Sequence, residues 1–264
     1  TQHFSTVGAY MKNITKRTVV VFLVLLFFTA PCGIAQDIKD FDEKKNQLIG
    51  FILGKELPAF HFSHKQLNES QSMKIVSLYL KQLDYQKRFL LSNDVTVLHS
   101  FARHIADDLE HGTIILPKAG YDIMKERFGQ VEKMVDRIMS TGFAGKIDDV
   151  YETDPKKIDY PVDLGELEDR WRKIMREQVM YRYLELADDQ MQAKKKLPDD
   201  ELWKQAKEKE FRLTKVFFQR LNQETLQDHY DRFFNAIARS FDPHTEYLPS
   251  TQSEEVEIEM RGSL

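Results

Sequence analysis

The helical pattern of residues 226–241 ends at a proline, and that stop constrains the fold more than any other feature of the chain. Phe233, Phe234, Ile237 and Phe241 recur at the spacing of one buried helix face. Pro243 cannot extend that helix, because it has no backbone N–H, its ring crowds the preceding turn, and it pushes Asp242 out of the helical region. Beyond it, Val256-Glu257-Ile258-Glu259-Met260 alternates apolar and charged residues at the period of a half-buried strand. Nothing else in the sequence reads as a confident strand, and a lone strand exposes a row of unpaired backbone groups. The expectation is that its sheet is completed by further polypeptide after Leu264.

Upstream, the apolar spacing is helical almost throughout. Residues 37–55 read as a helix that Pro58 and the run 59–67 break. Residues 69–84 form the next, with Met73, Val76, Tyr79, Leu80 and Leu83 on one side. Asn93 or Asp94 can cap a third, which carries Val97, Leu98, Phe101, Ile105 and Leu109 to a stop at Gly112. Pro117 opens a fourth that runs through Met139. Residues 141–161 have no period and contain Gly142, Gly145, Pro155 and Pro161, so they form a long loop, functional or pinned by side chains. The next helix covers 164–191, around Leu167, Trp171, Ile174, Met175, Val179 and Leu186. After a charged break with Pro198, Asp199 or Asp200 can cap a helix holding Leu202, Trp203, Phe211, Val216 and Phe217. The fold class is therefore all-α, with about seven helices leading into a short β segment. Helices this short draw their stability from packing, not from propensity.

The N-terminus reads as an address. Met11 looks like a start, with residues 1–10 as an upstream leader. Lys12, Lys16 and Arg17 precede an apolar core over 19–28, and Gly33 and Ala35 stand before Gln36. That is the layout of a secretory signal peptide over 11–35. The core is too short to cross a bilayer, which takes about 20 residues, although an uncleaved anchor through 19–35 is the alternative. A lipoprotein site at Cys32 is disfavoured by Pro31 before it. Cys32 is the only cysteine, so processing leaves a chain without thiols and excludes disulfides and Cys-ligated metals. The formal net charge of -4 offers no basic field for nucleic acid. An exported, periplasmic protein is expected.

Three stretches carry a family resemblance. They are His229-Tyr230-Asp231-Arg232-Phe233-Phe234-Asn235-Ala236-Ile237-Ala238 with Asp242-Pro243-His244-Thr245-Glu246-Tyr247-Leu248; Tyr79-Leu80 and Leu83-Asp84-Tyr85 before Phe89-Leu90-Leu91-Ser92-Asn93-Asp94-Val95; and Leu167 through Trp171. Together they resemble the N-terminal region of tail-specific proteases, also called carboxy-terminal processing peptidases. The likeness runs over roughly residues 36–264; residues 193–200 have no counterpart in it, and 59–67 match it loosely. The resemblance implies a helical N-terminal domain over 36–241, then a hinge and the first strand of a PDZ domain over 242–264. Asp242, Pro243, His244, Thr245, Tyr247 and Leu248 would be the structural hinge. It further implies a serine peptidase core with a Ser–Lys dyad, no metal or cofactor, protein substrates engaged by exposed C-terminal tails, and a helical face able to dock an adaptor protein. The sequence contains no Ser-x-x-Lys and no Gly-x-Ser-x-Gly, so no peptidase activity is expected of this chain alone.

Other candidate chemistry has a plainer reading beside it. His244 near Asp242 could imitate an oriented general base, but a turn in which Asp242 and Thr245 bond local backbone and His244 wedges between domains is favoured. His104, Asp108 and His111 share a helix face at zinc-like spacing, yet Asp107 and Glu110 make it a solvated acidic face. His61 and His64 lie in a loop without a third ligand at a recognisable spacing. Trp171 and Trp203 read as core, and Lys194-Lys195-Lys196 as a solvated loop. The rival class is a self-standing helical binding protein of the envelope with no enzyme attached.

Overall fold

A computed structural model describes residues 32–143, 150–193 and 197–249, with side chains described over 42–143, 150–192 and 197–249. Among them all regular secondary structure is helical: α1 (Cys32–Phe60), α2 (Glu69–Asp84), α3 (Ser92–Ser100), a 3-10 turn (Phe101–His104), α4 (Ile105–His111), α5 (Leu116–Thr141), α6 (Leu164–Ala193), α7 (Asp199–Asn222) and α8 (Leu226–Phe241). The alternating segment 256–260, the leader, most of the signal segment and residues 194–196 lie outside the described residues. No helix among the described residues is long and apolar enough to cross a membrane. The chain divides into two compact units, Thr1–Ile49 and Gly50–Leu264, with the boundary inside α1. The second unit contains α2 to α8.

The core of this second unit is organised around α5, which packs on α6, α7 and α8, while α8 also packs along α2 and α6 pairs with α7. Of the inward stripe that the spacing predicts for α5, Met124, Phe128, Val131, Val135 and Ile138 are buried and Tyr121 is half-buried. The helix starts at Leu116 with Pro117 in its first turn, where a missing N–H costs nothing. From α2 come Ile75, Val76, Tyr79 and Leu80, and from α8 come Phe233, Phe234, Ile237 and Phe241. Gly120 of α5 lets Tyr79 approach its backbone; a Cβ there would stand 2.3 Å from the Tyr79 hydroxyl.

Four expectations are corrected. First, α1 does not break at Pro58 but runs to Phe60, because a proline in the last turn removes only one hydrogen bond, and the His61 N–H still reaches the Leu57 carbonyl at 3.0 Å. Second, the single helix expected to end at Gly112 is divided by the 3-10 turn. Leu98, Ala102, Ile105 and Leu109 stay buried across the division, so the apolar period does not reveal it. Gly112 does end α4, at φ 71°. Third, neither Asn93 nor Asp94 sits at the cap position of α3. That position is Leu91, and Asp94 reaches back from the first turn to accept the Leu91 N–H at 2.8 Å. Similarly, the N-cap position of α7 is Pro198, which makes no side-chain cap bond, and Asp199 is already helical.

Fourth, the buried face of α7 is Leu202, Ala206, Glu210, Thr214 and Phe218, whereas Leu213, Val216 and Phe217 are exposed and Trp203 and Phe211 half-buried. Two polar residues occupy this inner face because each is satisfied there. The Glu210 carboxylate accepts from Arg182 of α6 at 2.9 Å, and the Thr214 hydroxyl donates to the Glu210 carbonyl at 2.9 Å. Met73 of α2 also faces outward.

Candidate functional site

A helix that ends at Phe241 leaves its last carbonyls without intrahelical donors. Here they are met by side chains from elsewhere. Lys65, in the loop between α1 and α2, donates to the Phe241 carbonyl and lies 3.3 Å from the Ser240 carbonyl. Lys74 of α2 donates to the same Ser240 carbonyl at 2.7 Å. Cations at this end also face the negative pole of the helix dipole. The Gln71 side-chain amide donates to the Ser240 hydroxyl at 2.8 Å, and that hydroxyl donates onward to the Ile237 carbonyl at 2.7 Å. Burial lowers the Lys74 pKa, and the neighbouring Lys65 charge lowers it further.

Past the helix end, Asp242 is extended and its carboxylate accepts the His244 N–H at 2.8 Å. The Thr245 N–H closes the turn onto the Asp242 carbonyl at 3.1 Å. The His244 N–H, and then the ring 3.3 Å away, hold the Asp242 carboxyl below its ordinary range. The His244 side chain is 93% exposed and wedges into nothing among the described residues. The Thr245 hydroxyl does not bond local backbone as expected. It pairs with His61 Nε2 at 2.9 Å, and His61 Nδ1 pairs with the Ser63 hydroxyl at 2.8 Å. His61 also rests edge-on against Phe241, with ring centroids 5.6 Å apart. Glu246 pairs with Arg239, and the Tyr247 ring meets Phe234 edge-on at 5.3 Å. Pro243 and Leu248 are exposed.

The turn of Asp242, His244 and Thr245 is thus joined by His61, considered from the sequence only as a metal ligand, and stands at a helix end held by Lys65, Gln71 and Lys74, which the sequence did not single out. Spacing gave no signal for them, since His61 and Thr245 are 184 positions apart. The Asp242–His244 pair has the contact of an oriented base, but the hydroxyl beside it is engaged by His61.

The other two motif stretches meet in a second cluster. The Asp84 carboxylate, buried at the end of α2, accepts the N–H groups of Arg88, Phe89 and Leu90 at 2.8, 2.9 and 2.9 Å. Burial pushes its pKa up, opposed by those three donors. Asp94 takes both Nε and Nη2 of Arg127 at 2.7 and 2.8 Å, in addition to the Leu91 N–H. Trp171 donates its indole N–H to the Arg88 carbonyl at 2.6 Å, and Arg170 donates to the carbonyls of Lys87 and Asp159 at 2.6 and 2.9 Å. The Ser92 N–H reaches the Pro161 carbonyl at 2.9 Å, and Lys87 donates to the Ile158 carbonyl. The described part of the long loop is pinned by these bonds.

His229 anchors a third, buried group. Its Nδ1 lies 3.1 Å from the Tyr79 hydroxyl and its Nε2 3.5 Å from Glu224, which Arg232 grips with two bonds of 2.7 and 2.8 Å. Burial works against the Glu224 charge, but hydrogen bonds from His229 and Arg232 outweigh it and hold the pKa at about 2. Of the zinc-like trio, Asp108 is buried and accepts from Thr113, while His111 Nδ1 turns to the Asp107 carbonyl at 2.9 Å. Among the described residues no three His, Cys, Asp or Glu side chains are placed to hold a metal ion.

Compared with known proteins, residues 53–251 match a family model described as tail specific protease N-terminal domain, a span that includes all three clusters. The tail-specific protease of Haemophilus influenzae is similar over 211 residues at 24% identity, covering 76% of this chain and 28% of that protein. The chain thus spans little more than a quarter of the length of this curated relative.

Proposed function

Because the chain belongs to the family of tail-specific protease N-terminal domains, we propose that it is the helical scaffold of an exported serine endopeptidase of the periplasm. That enzyme trims or degrades proteins from their C-terminal tails. The catalytic Ser–Lys pair and a PDZ domain belong to polypeptide beyond this chain, and no metal or cofactor takes part. The role of the present residues is to frame the peptidase, to admit substrate and to offer a face to an adaptor protein. The supporting observation is the junction itself: residues 242–248 leave α8 in a defined turn whose side chains are bonded back onto α8 and the 61–65 loop.

The deciding assay uses the full-length protein and two fluorogenic peptides that differ only in a free or an amidated C-terminal carboxyl group. The free acid is expected to be cut at least about tenfold faster, the loss incurred when a site built to bind a charged group finds it missing. Equal cleavage of the pair rejects the reading. The present chain alone is expected to cut neither. Export is tested separately, by fusing residues 11–35 to a phosphatase that works only after reaching the periplasm.

A further inference from the structure

The end of α8 is held more firmly than helix capping requires. One cation suffices to neutralise a helix C-terminus and satisfy a last carbonyl. Here two ammonium groups converge on the Ser240 carbonyl, Lys74 at 2.7 Å and Lys65 at 3.3 Å, and Lys65 also takes the Phe241 carbonyl. Burial lowers the Lys74 pKa, and the like charge of Lys65 beside it lowers it further. The two lysines come from different elements, the loop after α1 and the second turn of α2, so they approach the helix end from separate anchor points. Gln71 fixes the Ser240 hydroxyl from the same helix as Lys74, and His61 fixes Thr245 from the same loop as Lys65. Arg239–Glu246 and Phe234–Tyr247 tie the next residues to α8 itself.

We propose that Lys65 and Lys74 are positioning residues that make the 242–248 junction a rigid bracket, not a free hinge, so that any polypeptide beyond Leu248 is delivered in one fixed direction. The consequence for catalysis rests on the function proposed above. The bracket itself does not, since it is a property of these residues alone.

The first test is hydrogen exchange on the 264-residue chain carrying Lys65→Met and Lys74→Met together, which keeps the apolar stems and removes the donors. The amides of Asp242, His244 and Thr245 are expected to exchange at least about tenfold faster while those in the middle of α2 and α8 are unchanged, because only local opening is affected. Lys65→Arg with Lys74→Arg is expected to restore slow exchange. Unchanged exchange at the junction overturns the bracket, and so does uniform acceleration across α2 and α8, which marks simple loss of stability. His61→Phe serves as a milder variant if the double substitution fails to fold, and is held to the same two criteria at Thr245.

The second test places the double variant in the full-length protein with the free-acid peptide. A fall in kcat of about tenfold with KM held within about twofold is expected if the bracket aligns the later domains, since misplacement costs the chemical step and not uniform binding. A loosened junction with both constants unchanged overturns the positioning role. A wild-type enzyme indifferent to the free carboxyl group defeats the functional reading instead, and the exchange result still decides whether the bracket exists.

Discussion

Asp84 shows what one side chain does when three backbone donors converge on it. Truncating it to alanine leaves the buried N–H groups of Phe89 and Leu90 and the part-buried one of Arg88 without an acceptor. Each such orphan costs about 1–3 kcal/mol, so Asp84→Ala is expected to lose about 3 kcal/mol or more in urea titration. Glu224 makes a prediction about pH. Its folded pKa of about 2 lies below the ordinary value of 4.5, so the folded state favours the ionised form. The stability this gives is complete above the unfolded pKa and is lost as pH falls through the interval between the two values. Allowing for partial exposure, on the order of 2 kcal/mol should disappear between about pH 5 and pH 2, and Glu224→Gln should flatten that part of the stability–pH curve. A full-sized acid decline in the variant would show that Glu224 is not its source. The sequence pattern singled out Asp84 and His229 as motif members, but it could not reveal what they bond. Their partners are backbone amides, a side chain of another helix and one of the α7–α8 connection, and none of these has a period.

At the scale of elements, Gly120 controls how closely α2 lies on α5. A methyl group there stands 2.3 Å from the Tyr79 hydroxyl and 3.0 Å from two ring carbons, in a buried and rigid aromatic that cannot swing aside. Gly120→Ala is therefore expected to cost about 1–3 kcal/mol despite the better helix propensity of alanine. For a domain of this size that is a drop in Tm of roughly 2–4 °C per kcal/mol. An unchanged or raised Tm would mean that α2 shifts freely. The elements themselves were largely legible, because amphipathic stripes, Pro117, Gly112 and the Asp242-Pro243 stop all act locally. The face of α7 was not. A Glu and a Thr on its inner side break the apolar stripe; Arg182 on another helix explains the burial of Glu210, and the Glu210 carbonyl one turn back explains that of Thr214. The 3-10 turn escaped for the opposite reason, since its stripe continues unbroken.

For the molecule as a whole, α5 links the α2–α8 pair to the α6–α7 pair, so the unit from Gly50 onward should lose its structure in one step. A fragment of residues 50–249 is expected to give coincident urea midpoints by far-UV circular dichroism and by tryptophan fluorescence, which reports α6 and α7 through Trp171 and Trp203. Separated midpoints would mean that the two helix pairs come apart independently. Residues 87–92 and 158–161, far apart along the polypeptide, satisfy one another's carbonyls and amides directly or through Arg170 and Trp171. Insertions or deletions in either stretch would throw the other out of step, so relatives that differ in length should carry their extra residues elsewhere on the surface and keep these two spans at constant size.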